Sequence, residues 1–122
     1  MAHLLIIDDH KELAHALSMG LLSRGHTVEV ASDGAEGLVA CEKARPDVVI
    51  TDALMPTMGG LETLAELRRR FPNIKVIVMS GSGEGSAEGY LETAMERGAA
   101  ATLAKPFNLD TLVATLTAVL NS

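Results

Sequence analysis

His3-Leu4-Leu5-Ile6-Ile7-Asp8-Asp9 is a short apolar run that stops on two adjacent carboxylic acids. Nothing alternates within it, so it reads as a strand with both faces covered, the pattern of a parallel sheet interior. Asp47-Val48-Val49-Ile50-Thr51-Asp52 repeats the design, with an apolar middle and an acid at its end. Ile74 to Met79 is a third such run, and Ala101 to Ala104 a short further one, ended by Lys105-Pro106. Val28 and Val30 mark the remaining strand. Helical spacing fills the intervals. Residues 11–24 carry Leu13, Leu17 and Leu21 at i, i+4 and i+8 and are stopped by Gly25. Ala35 to Ala44 reads as a helix ended by Pro46, and Leu61, Leu64, Leu67 and Phe71 mark another closed by Pro72. Residues 86–97 form a weaker helix. Leu109, Leu112, Val113, Leu116, Val119 and Leu120 make an apolar stripe on a last one, with Asn108 as its N-cap. Five strand–helix units in alternation predict an α/β fold with a parallel sheet covered on both sides. They occupy residues 1–122 as one expected domain, which leaves no room for a separate output domain.

Composition narrows the function. A net charge of −6 argues against a nucleic-acid binder. Two Phe, one Tyr and no Trp argue against stacking platforms for bases. The single Cys41 forms no intramolecular disulfide or cysteine-based zinc site, and it reads as a small packing residue. No apolar run is long enough for a signal core or a membrane span, so the expectation is a cytoplasmic domain. Arg68, Arg69 and Arg70 end a helix, where cations suit its dipole. His3, His10, His15 and His26 are scattered. His10 follows the acids near the rim of the site, and is expected to be an exposed polar side chain rather than a ligand.

In open α/β sheets, ligands bind at the carboxyl ends of the strands. Those ends deliver Asp8 and Asp9, Asp52, Ser80 and Lys105. Three converging carboxylates repel unless a cation sits among them, and oxygen-only donors favour a hard ion such as Mg²⁺. A lysine supplies a point charge for a phosphoryl oxygen, and Ser80 a hydroxyl on a Gly-rich loop. A carboxylate nucleophile, a metal, a lysine and a hydroxyl are the parts needed to receive a phosphoryl group. Singly, each is explained as a cap or a turn residue. Their joint placement is what carries weight.

The chain resembles the receiver domains of bacterial two-component response regulators, including the single-domain chemotaxis regulators. The resemblance rests on Ile7-Asp8-Asp9, Asp52 through Met55-Pro56-Thr57-Met58-Gly59-Gly60, Ser80-Gly81, Gly98-Ala99 and Lys105-Pro106-Phe107. It implies a flavodoxin-like sheet of strand order 2-1-3-4-5, with two helices on one face and three on the other. It implies that Asp52 is the phosphoacceptor, that Asp8, Asp9, Asp52 and the backbone carbonyl of Leu54 hold Mg²⁺, and that Ser80 and Lys105 contact the phosphoryl group. The donor would be a histidine kinase or a histidine phosphotransfer protein. The domain would catalyse its own phosphorylation without turning over a separate substrate. Output would pass to a protein target, or to a second copy of the chain, through the fourth helix, fifth strand and fifth helix. That last helix shows a weakly polar face of Thr111, Ala114, Thr115, Ala118 and Asn121.

The sequence departs from the family pattern at Thr102, where an aromatic switch residue is usual; a Thr has no large ring to bury, and Tyr90 is the one tyrosine nearby. Leu54, apolar, cannot orient a hydrolytic water, and Ser82 borders the same path, so a phosphoaspartate is not expected to be unusually short-lived. Glu84, Glu88, Glu92 and Glu96 repeat at helical spacing, and Gly89 interrupts the helix that carries them. That helix is expected to be the least stable and, lying beside Ser80, to be open to bias when Asp52 is phosphorylated. Alternative readings are a receiver-like interaction module, a receiver excised from a longer regulator or hybrid kinase, and a Mg²⁺-dependent aspartyl phosphohydrolase. The last generally needs an acid where Leu54 stands.

Overall fold

The structure, a computed structural model, describes residues 2–53, 58–81 and 87–122, with backbone alone at Ala87 and Glu88. Its elements are β1 (His3–Ile7), α1 (Lys11–Leu22), β2 (Thr27–Ala31), α2 (Gly34–Lys43), β3 (Val48–Asp52), α3 (Gly60–Arg70), β4 (Lys75–Gly81), α4 (Ala87–Glu96), β5 (Ala101–Lys105) and α5 (Leu109–Leu120). All strand pairs are parallel, in the order β2-β1-β3-β4-β5. The apolar runs account for which strands are interior. Every residue of β3 is buried and all of β1 except His3, as interior strands require. β2 is an edge strand: Glu29 is exposed and Val30 is 43% exposed.

Two cores flank the sheet. Leu4, Ile6, Ile50, Ile77 and Met79 pack against Leu17 and Leu21 of α1 and Leu112 and Leu116 of α5. Leu5, Ile7, Val49, Val76 and Val78 pack against Leu38 of α2, Leu64 and Leu67 of α3, and Ala94 of α4. The flavodoxin-like arrangement with two helices on one face and three on the other is therefore present. On α5, Leu112, Leu116 and Val119 are buried and Leu109 and Val113 half-buried, while Leu120 lies at the rim with 36% exposure. Asn108 does cap α5, accepting from the Thr111 backbone N–H at 2.8 Å. At the amino end of β4, Lys75 Nζ donates to the Val119 carbonyl at 2.8 Å and the Ser122 carbonyl at 2.7 Å. A cation there also suits the carboxyl end of α5.

Two strand ends differ from the sequence reading. Ser80 and Lys105 lie inside strands, not after them. The ladder continues as Ser80 pairs with Ala104 and Gly81 with Lys105. Pairing depends on the backbone, and a polar side chain does not end a strand when it faces a polar pocket.

Candidate functional site

β1 and β3 are neighbours in register, with Ile7 opposite Thr51, so Asp8 and Asp52 emerge side by side at the carboxyl edge. Asp8 is 0% exposed and Asp52 2%. The Asp9 side chain is 32% exposed and turns toward the rim. Buried carboxylates need donors or cations around them. Asp52 Oδ1 accepts from the Ala53 backbone N–H at 3.1 Å and lies 3.2 Å from Lys105 Nζ. The same ammonium is 3.7 Å from Asp8 Oδ2. Asp8 Oδ1 accepts from the His10 backbone N–H at 2.9 Å. β5 brings in Lys105, and β4 brings Ser80, which is fully buried.

Asp8 and Asp52 thus share one ammonium, Asp9 lies beside them, and the balance of charge suits a further cation. The polar atoms left over say the same. Among the described residues, Asp8 Oδ2, Asp9 Oδ1 and Ser80 Oγ are buried atoms that make no hydrogen bond. One donor atom from each of Asp8, Asp9, His10 and Asp52 lies within 4.8 Å of the others, a group able to hold a metal ion. Hard oxygen donors fit Mg²⁺.

The segment that follows Asp52 explains how close the parts come. A Cβ built on Gly60 would sit 2.3 Å from the Asp52 carbonyl oxygen and 2.7 Å from Ala53 Cα. The Gly60 N–H instead donates to the Ala53 carbonyl at 2.7 Å. Only glycine lets α3 start against the backbone that carries Asp52.

His10 is the residue whose place the sequence underweighted. It is the N-cap of α1, yet its side chain makes no cap hydrogen bond. Its Nδ1 lies 3.2 Å from Asp8 Oδ1 and 3.5 Å from Asp9 Oδ1. The other histidines act elsewhere: His3 Nδ1 meets Thr27 Oγ1 at 2.9 Å, His26 Nδ1 accepts from the Ala2 N–H at 3.2 Å, and His15 lies exposed on α1. The arginines of α3 are engaged locally. Arg68 donates to the Pro72 carbonyl, Arg69 pairs with Glu66, and Arg70 pairs with Glu42 and lies over the Phe71 ring.

Thr102 is half-buried on β5. With Leu91, Glu92, Met95 and Glu96 it lines a groove of about 530 Å³ between α4 and β5. Tyr90 is half-buried on α4. On α5, Thr111, Ala114, Ala118 and Asn121 are exposed as expected, while Thr115 is half-buried. Leu54, Ser82 and Glu84, and the Glu88 side chain, lie outside the described residues. No helix among the described residues is long and apolar enough to cross a membrane.

Known proteins share this arrangement. A receiver domain protein from Clostridium thermocellum superposes with a TM-score of 0.91 at 31% identity, covering 99% of this chain and 95% of that one. The chemotaxis protein CheY4 of Vibrio cholerae does so with a TM-score of 0.87 at 36% identity, covering 98% of each chain. In sequence, the chain is 32% identical over 116 residues to the probable transcriptional regulatory protein TcrX of Mycobacterium tuberculosis, covering 95% of this chain and 48% of that protein. It is also 32% identical over 117 residues to the response regulator MprA of Mycobacterium ulcerans, covering 96% and 49%. The chain thus spans about half the length of the curated relatives it matches. The family model for the response regulator receiver domain matches residues 4–117, and the chain belongs to that family of two-component signalling modules.

Proposed function

We propose that this receiver accepts a phosphoryl group on Asp52, with Mg²⁺ held by Asp8, Asp9, Asp52 and the Leu54 backbone carbonyl. The single observation that carries the reading is the cluster itself: three carboxyls within a span that could hold a metal ion, two of them paired with the Lys105 ammonium, with buried oxygen atoms left without hydrogen bonds. In the transfer, an Asp52 carboxylate oxygen attacks the phosphorus of a phosphoimidazole donor. A P–O bond forms as the P–N bond breaks, and the imidazole leaves. When bound, the cation neutralises charge on the transferring phosphoryl oxygens.

The roles of this chain's own groups follow from chemistry already described. Lys105, 3.2 Å from Asp52 Oδ1, exchanges that contact for one with a phosphoryl oxygen. The Ala53 N–H at 3.1 Å orients the Asp52 carboxylate. Ser80, buried and with no hydrogen bond made by its hydroxyl, supplies a donor to the arriving group and moves with it. Thr102, too small to bury a ring, leaves the switch to the backbone between Ser80 and α4. The donor is a phosphohistidine on a kinase or phosphotransfer protein. The output is contact with a protein target through α4, β5 and α5, without turnover of a separate substrate, and the setting is the cytoplasm.

Incubation with Mg²⁺ and acetyl phosphate, followed by intact mass measurement, tests this. One phosphoryl adduct is expected on the native chain and none on Asp52→Ala. An adduct that survives Asp52→Ala, or none on the native chain with any donor, overturns the assignment.

A further inference from the structure

We propose that His10 is a nitrogen donor to the cation site and turns its preference toward borderline divalent ions such as Co²⁺ and Ni²⁺. This rests on the reading of Asp8, Asp9 and Asp52 as that site. Several observations converge on the ring. His10 occupies the N-cap position of α1, where Ser, Asp or Asn would bond the helix, and its side chain makes no such bond. The ring instead lies among the acids, with Nδ1 3.2 Å from Asp8 Oδ1 and 3.5 Å from Asp9 Oδ1. A ring nitrogen shares with the three carboxyls a span in which all donor atoms lie within 4.8 Å of one another. Asp8 Oδ2 is fully buried, makes no hydrogen bond and lies 3.7 Å from the Lys105 ammonium, so it keeps a lone pair for a cation.

The ring is also free to serve. The His10 side chain is 65% exposed, so it can turn about its own bonds at little cost. Asp8 Oδ1 keeps the His10 backbone N–H at 2.9 Å when the ring leaves it, so the imidazole is not needed to satisfy that oxygen. Carboxylate and carbonyl oxygens treat Mg²⁺ and the later divalent ions with modest discrimination, whereas imidazole favours Co²⁺, Ni²⁺ and Zn²⁺. One nitrogen among oxygens therefore acts on selectivity more than on affinity for Mg²⁺.

Isothermal titration of the phosphate-free protein with Mg²⁺, Co²⁺ and Ni²⁺ tests the proposal, comparing the native chain with His10→Asn and Asp9→Ala. Asn replaces nitrogen by oxygen and is itself a good N-cap, so the variant keeps the fold. The expected result is a loss of Co²⁺ and Ni²⁺ affinity of about tenfold or more in His10→Asn, with a several-fold smaller loss for Mg²⁺. Equal losses for all three ions would make His10 a positioning residue for Asp8 and overturn the proposal, as would no loss at all. If the native chain binds Mg²⁺ but shows no ratio dependent on His10, only this inference falls. If it binds none of the three ions, or Asp9→Ala binds them equally well, the cation site itself falls with it.

Discussion

Cys41 packs as a small residue, 1% exposed within the core that α2 and α3 share, and burial pushes its thiol from 9.0 up to about 11. The charge of Glu29 adds to that rise, while Arg70 and Arg45 oppose it. The thiol should therefore resist Ellman's reagent at pH 8 until the chain unfolds, and fast labelling of the folded protein would contradict its burial. The folded state also holds this proton more tightly than the unfolded one. Its contribution to stability is complete below pH 9 and is lost as pH rises toward 11. Urea midpoints of the native chain and Cys41→Ala should converge over that window. The role of Cys41 as packing was legible, because a lone cysteine among apolar residues has few other uses. The acids and the lysine were legible too, since carboxylate and ammonium chemistry survives any context. His10 was not, because an imidazole takes its meaning from neighbours that only the fold assembles.

Among elements, the start of α3 is the tightest junction. Gly60→Ala would force a methyl against the Asp52 carbonyl. The expected cost is about 1–3 kcal/mol in urea unfolding, together with reduced phosphoryl adduct on Asp52. An unchanged midpoint and adduct would mean that the close approach does not matter. α4 carries Glu92 and Glu96 at a like-charged spacing, worth ~0.2–0.5 kcal/mol against the helix, with Gly89 adding roughly 1 kcal/mol. Hydrogen exchange should accordingly find α4 amides opening before those of α5, and equal protection would refute the ranking. Strand existence and helix periods could be read from the chain because burial imprints itself on side-chain type. The ends of β4 and β5 could not, because Ser80 and Lys105 continue a backbone ladder whose pairing leaves no mark on polarity.

At the scale of the molecule, the repulsion gathered at one edge couples ion binding to folding. A ligand held by the folded state alone stabilises by about 2.7 kcal/mol at a hundredfold excess over its Kd. Mg²⁺ should therefore raise the melting temperature by several degrees in the native chain and by little in Asp9→Ala; an equal rise in both would place the ion elsewhere. The sheet order was legible only through the resemblance, whereas the exposure of Val30 on the outer strand depends on what does not lie beside it.

Lys75 and Gly81 are the two ends of β4, about 20 Å apart at the usual rise of an extended chain. One end is fastened to the last turn of α5 by Lys75, and the other pairs with Lys105, whose ammonium meets Asp8 and Asp52. Anchorage and the candidate site thereby fall at opposite poles of the same strand. An immobilising linker, a fluorophore or a stabilising graft at the lysine pole would tune the lifetime of the scaffold while leaving the acidic pole free to report.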